Sequence, residues 1–384
     1  MRQILNNIMS RKFDLYILLI PVVLTCLGVI ISYSDSTVTT DRNIHEGMYF
    51  LRRQRAFAVA GFIIMLVTMH VNYHVWQRLG LPLLLLSLVL LTIILIPGIG
   101  GSAGNLNPSS GKWFQPSEYA KIAVIIFMAF SLDRNRIALK EFGGRFVSYI
   151  IMLQVYLALL LKQADNGSAV VLIIVVFSML YAAGTPVLHL LSVTFLALPF
   201  VHIHIVYIGY RWNCVYSWRE LLKAGHQIVQ SFFALGSGVL FGKSVGEGFL
   251  GAHTDYILAV IGKEFGLIGI FAVVGLIIVL IMRSLKVAIN AQDASGRILA
   301  SGITALFAIE TIDNLAVVTG IIPAQDLTLP FLSYGCSTLL VSLFAAGILL
   351  NISSGLEPSD KPQYPSDNGA IKQTESGKMT EEPE

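Results

Sequence analysis

Asp255 ends the string Gly251-Ala252-His253-Thr254-Asp255, and the apolar run Tyr256-Ile257-Leu258-Ala259-Val260-Ile261 follows directly. A carboxylate at the mouth of a hydrophobic helix is poorly hydrated, which favours its proton-binding form. Such a group is a candidate general base at a membrane surface. Thr and Asp are also favoured helix N-caps, so capping is the competing reading of the same position.

Four further groups carry polar chemistry. Glu118 and Lys121, in Pro116-Ser117-Glu118-Tyr119-Ala120-Lys121, are three residues apart and share a helix face, where they can neutralise each other inside a bilayer. The pair is either a strut between helices or part of a site, since any buried charge needs a partner. Spacing alone predicts that exchanging the two charges restores part of what either single change loses. Between 210 and 254, Arg211, Arg219, Lys223 and Lys243 lie among Gly236, Gly238, Gly242, Gly246, Gly248 and Gly251. Within the same stretch, Ile228 over Phe232 and Val229 over Phe233 make a short amphipathic segment. Cations on close-approaching backbone beside an interfacial carboxylate suit an anionic lipid headgroup, although each cation singly also reads as an ordinary surface charge. Ser333, Tyr334 and Ser337 follow Pro330 and suit tight helix packing. Glu310, Asp313 and Asn314 interrupt an apolar stretch and are expected to face the protein interior.

These residues are positioned by a membrane protein. Hydrophobic residues are 55% of the chain and charged residues 13%, too little polar surface for a water-soluble domain of 384 residues. Apolar runs give about ten spans, at roughly 14–34, 54–72, 79–98, 116–132, 146–162, 167–183, 186–209, 255–283, 297–320 and 330–352. The expected architecture is therefore all-α and polytopic: a membrane domain over 1–352, a long external loop over about 210–254 between the seventh and eighth helices, and a disordered cytoplasmic tail over 353–384. Arg2, Arg11 and Lys12, then Arg134, Arg136, Lys140 and Arg145, then Arg283, Lys286 and Arg297 mark one face as cytoplasmic, against Arg52, Arg53 and Arg55 before the second span. Parity then puts both termini inside. The starts of spans four, eight and ten, the turn Gln163-Ala164-Asp165-Asn166-Gly167 and the long loop all fall outside, which suggests one external site. The net charge of +3 argues for no nucleic-acid partner, and three scattered cysteines make neither a disulfide framework nor a metal site.

Five stretches, in order, resemble the SEDS family, the FtsW/RodA group of cell-wall polymerases. They are Trp113-Phe114-Gln115-Pro116-Ser117-Glu118-Tyr119-Ala120-Lys121, the 163–167 turn, and Gln230-Ser231 continuing to Ala234-Leu235-Gly236-Ser237-Gly238 and Phe241-Gly242-Lys243. The others are Ala252-His253-Thr254-Asp255-Tyr256-Ile257 with Gly262-Lys263-Glu264-Phe265-Gly266, and Leu329-Pro330-Phe331-Leu332-Ser333-Tyr334-Gly335-Cys336-Ser337. The chain departs from the family pattern at Ser110-Gly111-Lys112, at Ser217-Trp218, in the short Gly248-Phe249-Leu250-Gly251-Ala252, and at Cys336.

The resemblance implies a peptidoglycan glycosyltransferase that polymerises lipid II, the undecaprenyl-pyrophosphate-linked disaccharide-peptide, outside the bacterial cytoplasmic membrane. It makes Asp255 the base for the acceptor hydroxyl. Lys243, Arg211 and Arg219 would stabilise the pyrophosphate leaving group, and a divalent cation such as Mg or Mn could share that role, although no ligand spacing marks a metal. Glu118, Lys121, His253, Gln230, Ser231, Asp165 and Ser333 would shape or support the pocket. The implied partners are a class B penicillin-binding transpeptidase and the membrane proteins of the divisome or elongasome. Ala252 and Leu327-Thr328-Leu329-Pro330 favour the division, FtsW-like branch over the elongation, RodA-like one. Two other classes remain: a lipid II flippase, which needs a sealed membrane as polymerisation does not, and a non-catalytic scaffold, for which Asp255 would be dispensable.

Overall fold

The computed structural model describes residues 13–39, 44–96, 115–135, 144–163, 165–192, 257–319, 321–322, 327–333 and 335–355. Among them every regular element is helical: α1 (Leu15–Thr39), α2 (Ile44–His70), α3 (Tyr73–Arg78), α4 (Gly80–Ile94), α5 (Pro116–Arg134), α6 (Gly144–Lys162), α7 (Asn166–Ala182), α8 (Ile257–Asn290), α9 (Ala294–Val318) and α10 (Cys336–Ser354). This is the all-helical membrane architecture expected from the apolar runs. Four of these helices, α6, α8, α9 and α10, are long and apolar enough to cross a bilayer, and 15–31 of α1, α4 and α7 are shorter apolar helices. The seventh expected span begins as helix at 187–192, and its remainder lies outside the described residues, as does the 210–254 loop.

Two helices form the centre. α10 is buried along nearly its whole length, and α5 is buried at 13 of its 19 residues. α5 packs on α3, α4, α7, α9 and α10, whereas α10 lies chiefly against α2 and also touches α1 and α5. Burial in protein instead of lipid lets α5 carry Glu118 and Lys121 in the interior of the bundle. The outer helices show lipid-type faces, with Leu85, Leu86 and Val89 of α4 and Phe271, Met282 and Ile289 of α8 exposed.

Helix ends follow local chemistry. Pro116 opens α5 at its first turn, where the missing N–H costs nothing, after an extended Gln115. Asp165 caps α7 by accepting the Ser168 N–H at 3.0 Å. α7 stops where Gly184 takes φ 92° and the Thr185 N–H returns to the Leu180 carbonyl at 3.1 Å. α8 bends at Gly266 (φ 66°, ψ −165°), which separates a buried opening segment from the long lipid-facing remainder. Before α10 the chain is non-helical over 327–333 yet wholly buried, with Phe331 at φ 65° against the Phe307 ring at 5.1 Å. Irregular backbone at this depth is tolerable because protein, not lipid, surrounds it.

One end of the bundle is tied by polar contacts between remote segments. The Asp14 N–H donates to Ser353 Oγ at 3.3 Å, so the first and last described helices meet there. Asn351 accepts the Tyr73 N–H at 2.9 Å and donates to the Met69 carbonyl at 2.8 Å. The Tyr73 hydroxyl donates to Asp293 at 2.5 Å, and burial together with that bond pushes its pKa above the ordinary tyrosine value, so it stays a neutral donor at physiological pH. Ser295 donates to Gln77 at 2.7 Å.

The α2–α10 contact is close because Gly347 has no side chain: a Cβ there would fall on the Thr68 hydroxyl and the Met65 carbonyl. Gly347→Val is expected to destabilise the bundle by about 1–3 kcal/mol through overpacking. Thermal unfolding in detergent checks it; an unchanged midpoint would show that α10 does not pack on α2 in this way.

Candidate active site

At the end of the bundle opposite the Asp14–Ser353 contact, three chain segments converge on Gln115. Its N–H donates to Ser337 Oγ at 3.0 Å, and its side-chain amide reaches Asp165 Oδ2 at 3.5 Å. Ser337 also hydrogen-bonds the Tyr119 side chain. The start of α5, the turn into α7 and the start of α10 therefore share one polar cluster, as span parity predicts for these three. Gln163 anchors the turn by donating to the Leu91 carbonyl at 2.7 Å. The Ser117 hydroxyl is buried here without a hydrogen-bond partner among the described residues.

About a turn and a half further down α5 lies a charge cluster. Lys121 Nζ is 2.9 Å from Glu118 Oε1 and 2.5 Å from Glu310 Oε1 of α9, with all three side chains at most 4% exposed. The Glu118–Lys121 pair expected from spacing forms. The sequence puts Glu310 inside the protein but does not pair it with Lys121. One ammonium thus serves two carboxylates, and Asp313 lies one turn beyond Glu310 on α9 with a buried Oδ2 lacking a hydrogen-bond partner among the described residues. The compensating exchange of Glu118 with Lys121 no longer follows, because it sets a carboxylate at position 121 against Glu310.

Beside the polar cluster, Tyr119 forms part of the wall of an apolar cavity of about 290 Å³ between α2, α3, α4, α5 and α10, with Ile64, Trp76, Leu86, Ile126 and Phe344. Its outer wall is made by helices whose far faces are exposed and apolar.

Ser333 does not reach the polar cluster in this structure: its hydroxyl accepts the Leu329 N–H at 2.9 Å and fixes its own turn. Asp255, His253, Gln230, Ser231, Lys243, Arg211 and Arg219 lie outside the described residues. Residues 257–262 are all buried, so α8 begins inside the bundle. Among the described residues no group of three or more His, Cys, Asp and Glu side chains could hold a metal ion.

Residues 14–357 match the family model FTSW_RODA_SPOVE, described as a cell cycle protein. The chain belongs to this family. It is 44% identical over 363 residues to the probable peptidoglycan glycosyltransferase FtsW of Trichlorobacter lovleyi, covering 90% of this chain and 94% of that one. It is 33% identical over 358 residues to the stage V sporulation protein E of Bacillus subtilis, covering 88% and 96%. The fold resembles that of the rod shape determining protein RodA of Thermus thermophilus, with a TM-score of 0.66 at 24% identity, covering 91% of this chain and 99% of that one. It also resembles a chain from a peptidoglycan synthase complex described as coordinating polymerization and crosslinking, with a TM-score of 0.71 at 24% identity, covering 89% and 98%. In this FtsW/RodA relative the apolar cavity runs from Tyr119, beside the polar cluster, down to Trp76 of α3.

Lys121→Met leaves Glu118 and Glu310 buried and facing each other, a loss expected to cost about 3–5 kcal/mol. Adding Glu118→Gln and Glu310→Gln removes the stranded charges and is expected to return most of that stability. Folded yield and thermal midpoint of the single and triple variants decide; a harmless single change would mean that Lys121 does not hold the two carboxylates.

Proposed function

We propose that this protein is a peptidoglycan glycosyltransferase of the division branch, joining lipid II units into glycan strands at the outer face of the bacterial cytoplasmic membrane. The observation that carries the reading is the juxtaposition of the Gln115–Asp165–Ser337 cluster with the apolar cavity that begins at Tyr119. A substrate with a sugar-pyrophosphate head and an isoprenoid tail needs such a pair: convergent polar groups for the head and an apolar channel for the chain. The division-protein names of the relatives agree with it.

In this reading the polar cluster faces outward, and the Asp14–Ser353 end, with both chain termini, faces the cytoplasm. Asp255, two residues before the buried start of α8, takes the proton from the acceptor sugar hydroxyl. That oxygen bonds to the donor's anomeric carbon as the bond from this carbon to the lipid pyrophosphate breaks. Lys243, Arg211 and Arg219 meet the charge developing on the departing pyrophosphate, with a divalent cation such as Mg or Mn as the alternative countercharge. His253, Gln230 and Ser231 line the approach, and Asp165 holds Gln115 at its edge. Glycan made here needs cross-linking, and the described residues form only a helical bundle. The complementary partner is therefore a class B penicillin-binding transpeptidase, held within the assembly of division proteins.

Asp255→Asn keeps the side chain's shape and removes its basicity. Purified in detergent, this variant is expected to make glycan from lipid II at least about a hundredfold more slowly than wild type. Near-normal synthesis would rule out the assigned base, and with it the mechanism.

The partner should be held by membrane helices and external loops, because residues 356–384 contain no apolar run. A protein lacking 356–384 is expected to co-purify with the transpeptidase as the full chain does. Loss of the complex on truncation would move the interface to the tail.

A further inference from the structure

We propose that Glu310 is a positioning residue for glycan synthesis, acting through Lys121: the α9-to-α5 ion pair, not the Glu118–Lys121 pair within α5, sets where the polar end of α5 stands. The inference rests on the glycosyltransferase reading and adds to it a residue far from the reacting atoms.

The two bonds constrain different things. A contact between residues three apart on one helix orients the lysine but fixes nothing between helices. The bond from Lys121 to Glu310 crosses from α5 to α9 and is the shorter of the two, 2.5 Å against 2.9 Å. Both are charge-assisted and buried, where such bonds are strong and geometrically demanding. Gly302 of α9 packs against Ile125 of α5 and Met179 of α7. The two helices are antiparallel, so the glycine contact and the ion pair lie along one seam. The glycine sets how closely the helices approach, and the ion pair sets their register. Gln115 lies six residues before Lys121, about 9 Å along the axis, and joins Asp165 and Ser337. A slip of α5 along α9 would therefore move the residue that gathers the three segments, together with Tyr119 of the cavity wall.

Charge count separates positioning from simple stability. Glu118→Gln and Glu310→Gln each leave one lysine and one glutamate, a neutral pair, so both variants should fold. They differ only in which helix holds Lys121.

The test measures lipid II polymerisation by purified protein in detergent, with thermal midpoints taken on the same samples. Glu310→Gln is expected to lower kcat by about ten- to a hundredfold, with KM for lipid II within about twofold of wild type and a thermal midpoint matching that of Glu118→Gln. Glu118→Gln is expected to lose about tenfold less kcat than Glu310→Gln, the interhelical link being intact. Exchanging the partners across the seam in a Glu118→Gln background, Lys121→Glu with Glu310→Lys, leaves one lysine and one glutamate with no second carboxylate facing position 121, restores the link and should recover most of the kcat of Glu118→Gln. Full activity in Glu310→Gln, an equal loss in Glu118→Gln, or a folded exchange variant that stays inactive would each overturn the proposal. Should Glu310→Gln fail to fold, the exchange variant decides alone. A wild-type protein that makes no glycan would instead contradict the glycosyltransferase reading, which separates the two failures.

Discussion

An ammonium group deep in an apolar bundle must be answered by negative charge, and the way Lys121 is answered constrains much of this structure. Its two carboxylates come from different helices, Glu118 from α5 and Glu310 from α9. In a low-dielectric interior neither helix can shift without stranding a charge. α5 is therefore placed by electrostatics as well as packing. Because α5 touches five other helices, that placement extends to the cavity on one side and to the polar cluster at its N-terminal end.

The two ends of the bundle use polarity differently. At the Asp14–Ser353 end, hydrogen bonds join the termini of α1, α3, α9 and α10, as between Asn351 and both Tyr73 and Met69, and between Ser295 and Gln77. Arg283 stacks over the Tyr16 ring at 4.0 Å and lies 3.8 Å from Asp14. These contacts close the end. At the opposite end the cluster around Gln115 includes a long contact, 3.5 Å to Asp165, and a buried Ser117 hydroxyl with no partner among the described residues. Unspent hydrogen-bonding capacity beside an apolar cavity is what a binding site for an amphiphile requires.

Much of this was legible in the sequence. The apolar runs locate nearly every described helix, because lipid-facing and protein-facing positions are both apolar in a bundle of this kind. Boundaries were less legible where charge interrupts a run. α2 begins at Ile44, about ten residues before the expected start, since Arg52, Arg53 and Arg55 read as a membrane edge although the helix continues through them. Arg53 is buried, with its guanidinium 5.7 Å from the Phe57 ring. The short α3 and the bend at Gly266 left no periodic trace. The i,i+3 spacing revealed Glu118 with Lys121, but nothing local links Lys121 to a residue 189 positions away. The sequence carried no signal for that pairing beyond the presence of Glu310 and Asp313 inside an expected span.

The central claim is that this bundle performs chemistry at its polar end instead of passing substrate across the membrane. The most direct measurement is glycan synthesis from lipid II by the wild-type protein, purified in detergent with a transpeptidase whose own active site is blocked. The account predicts glycan strands without any sealed membrane. No strands in detergent, together with lipid II transfer across the bilayer of sealed vesicles holding the same protein, would contradict it.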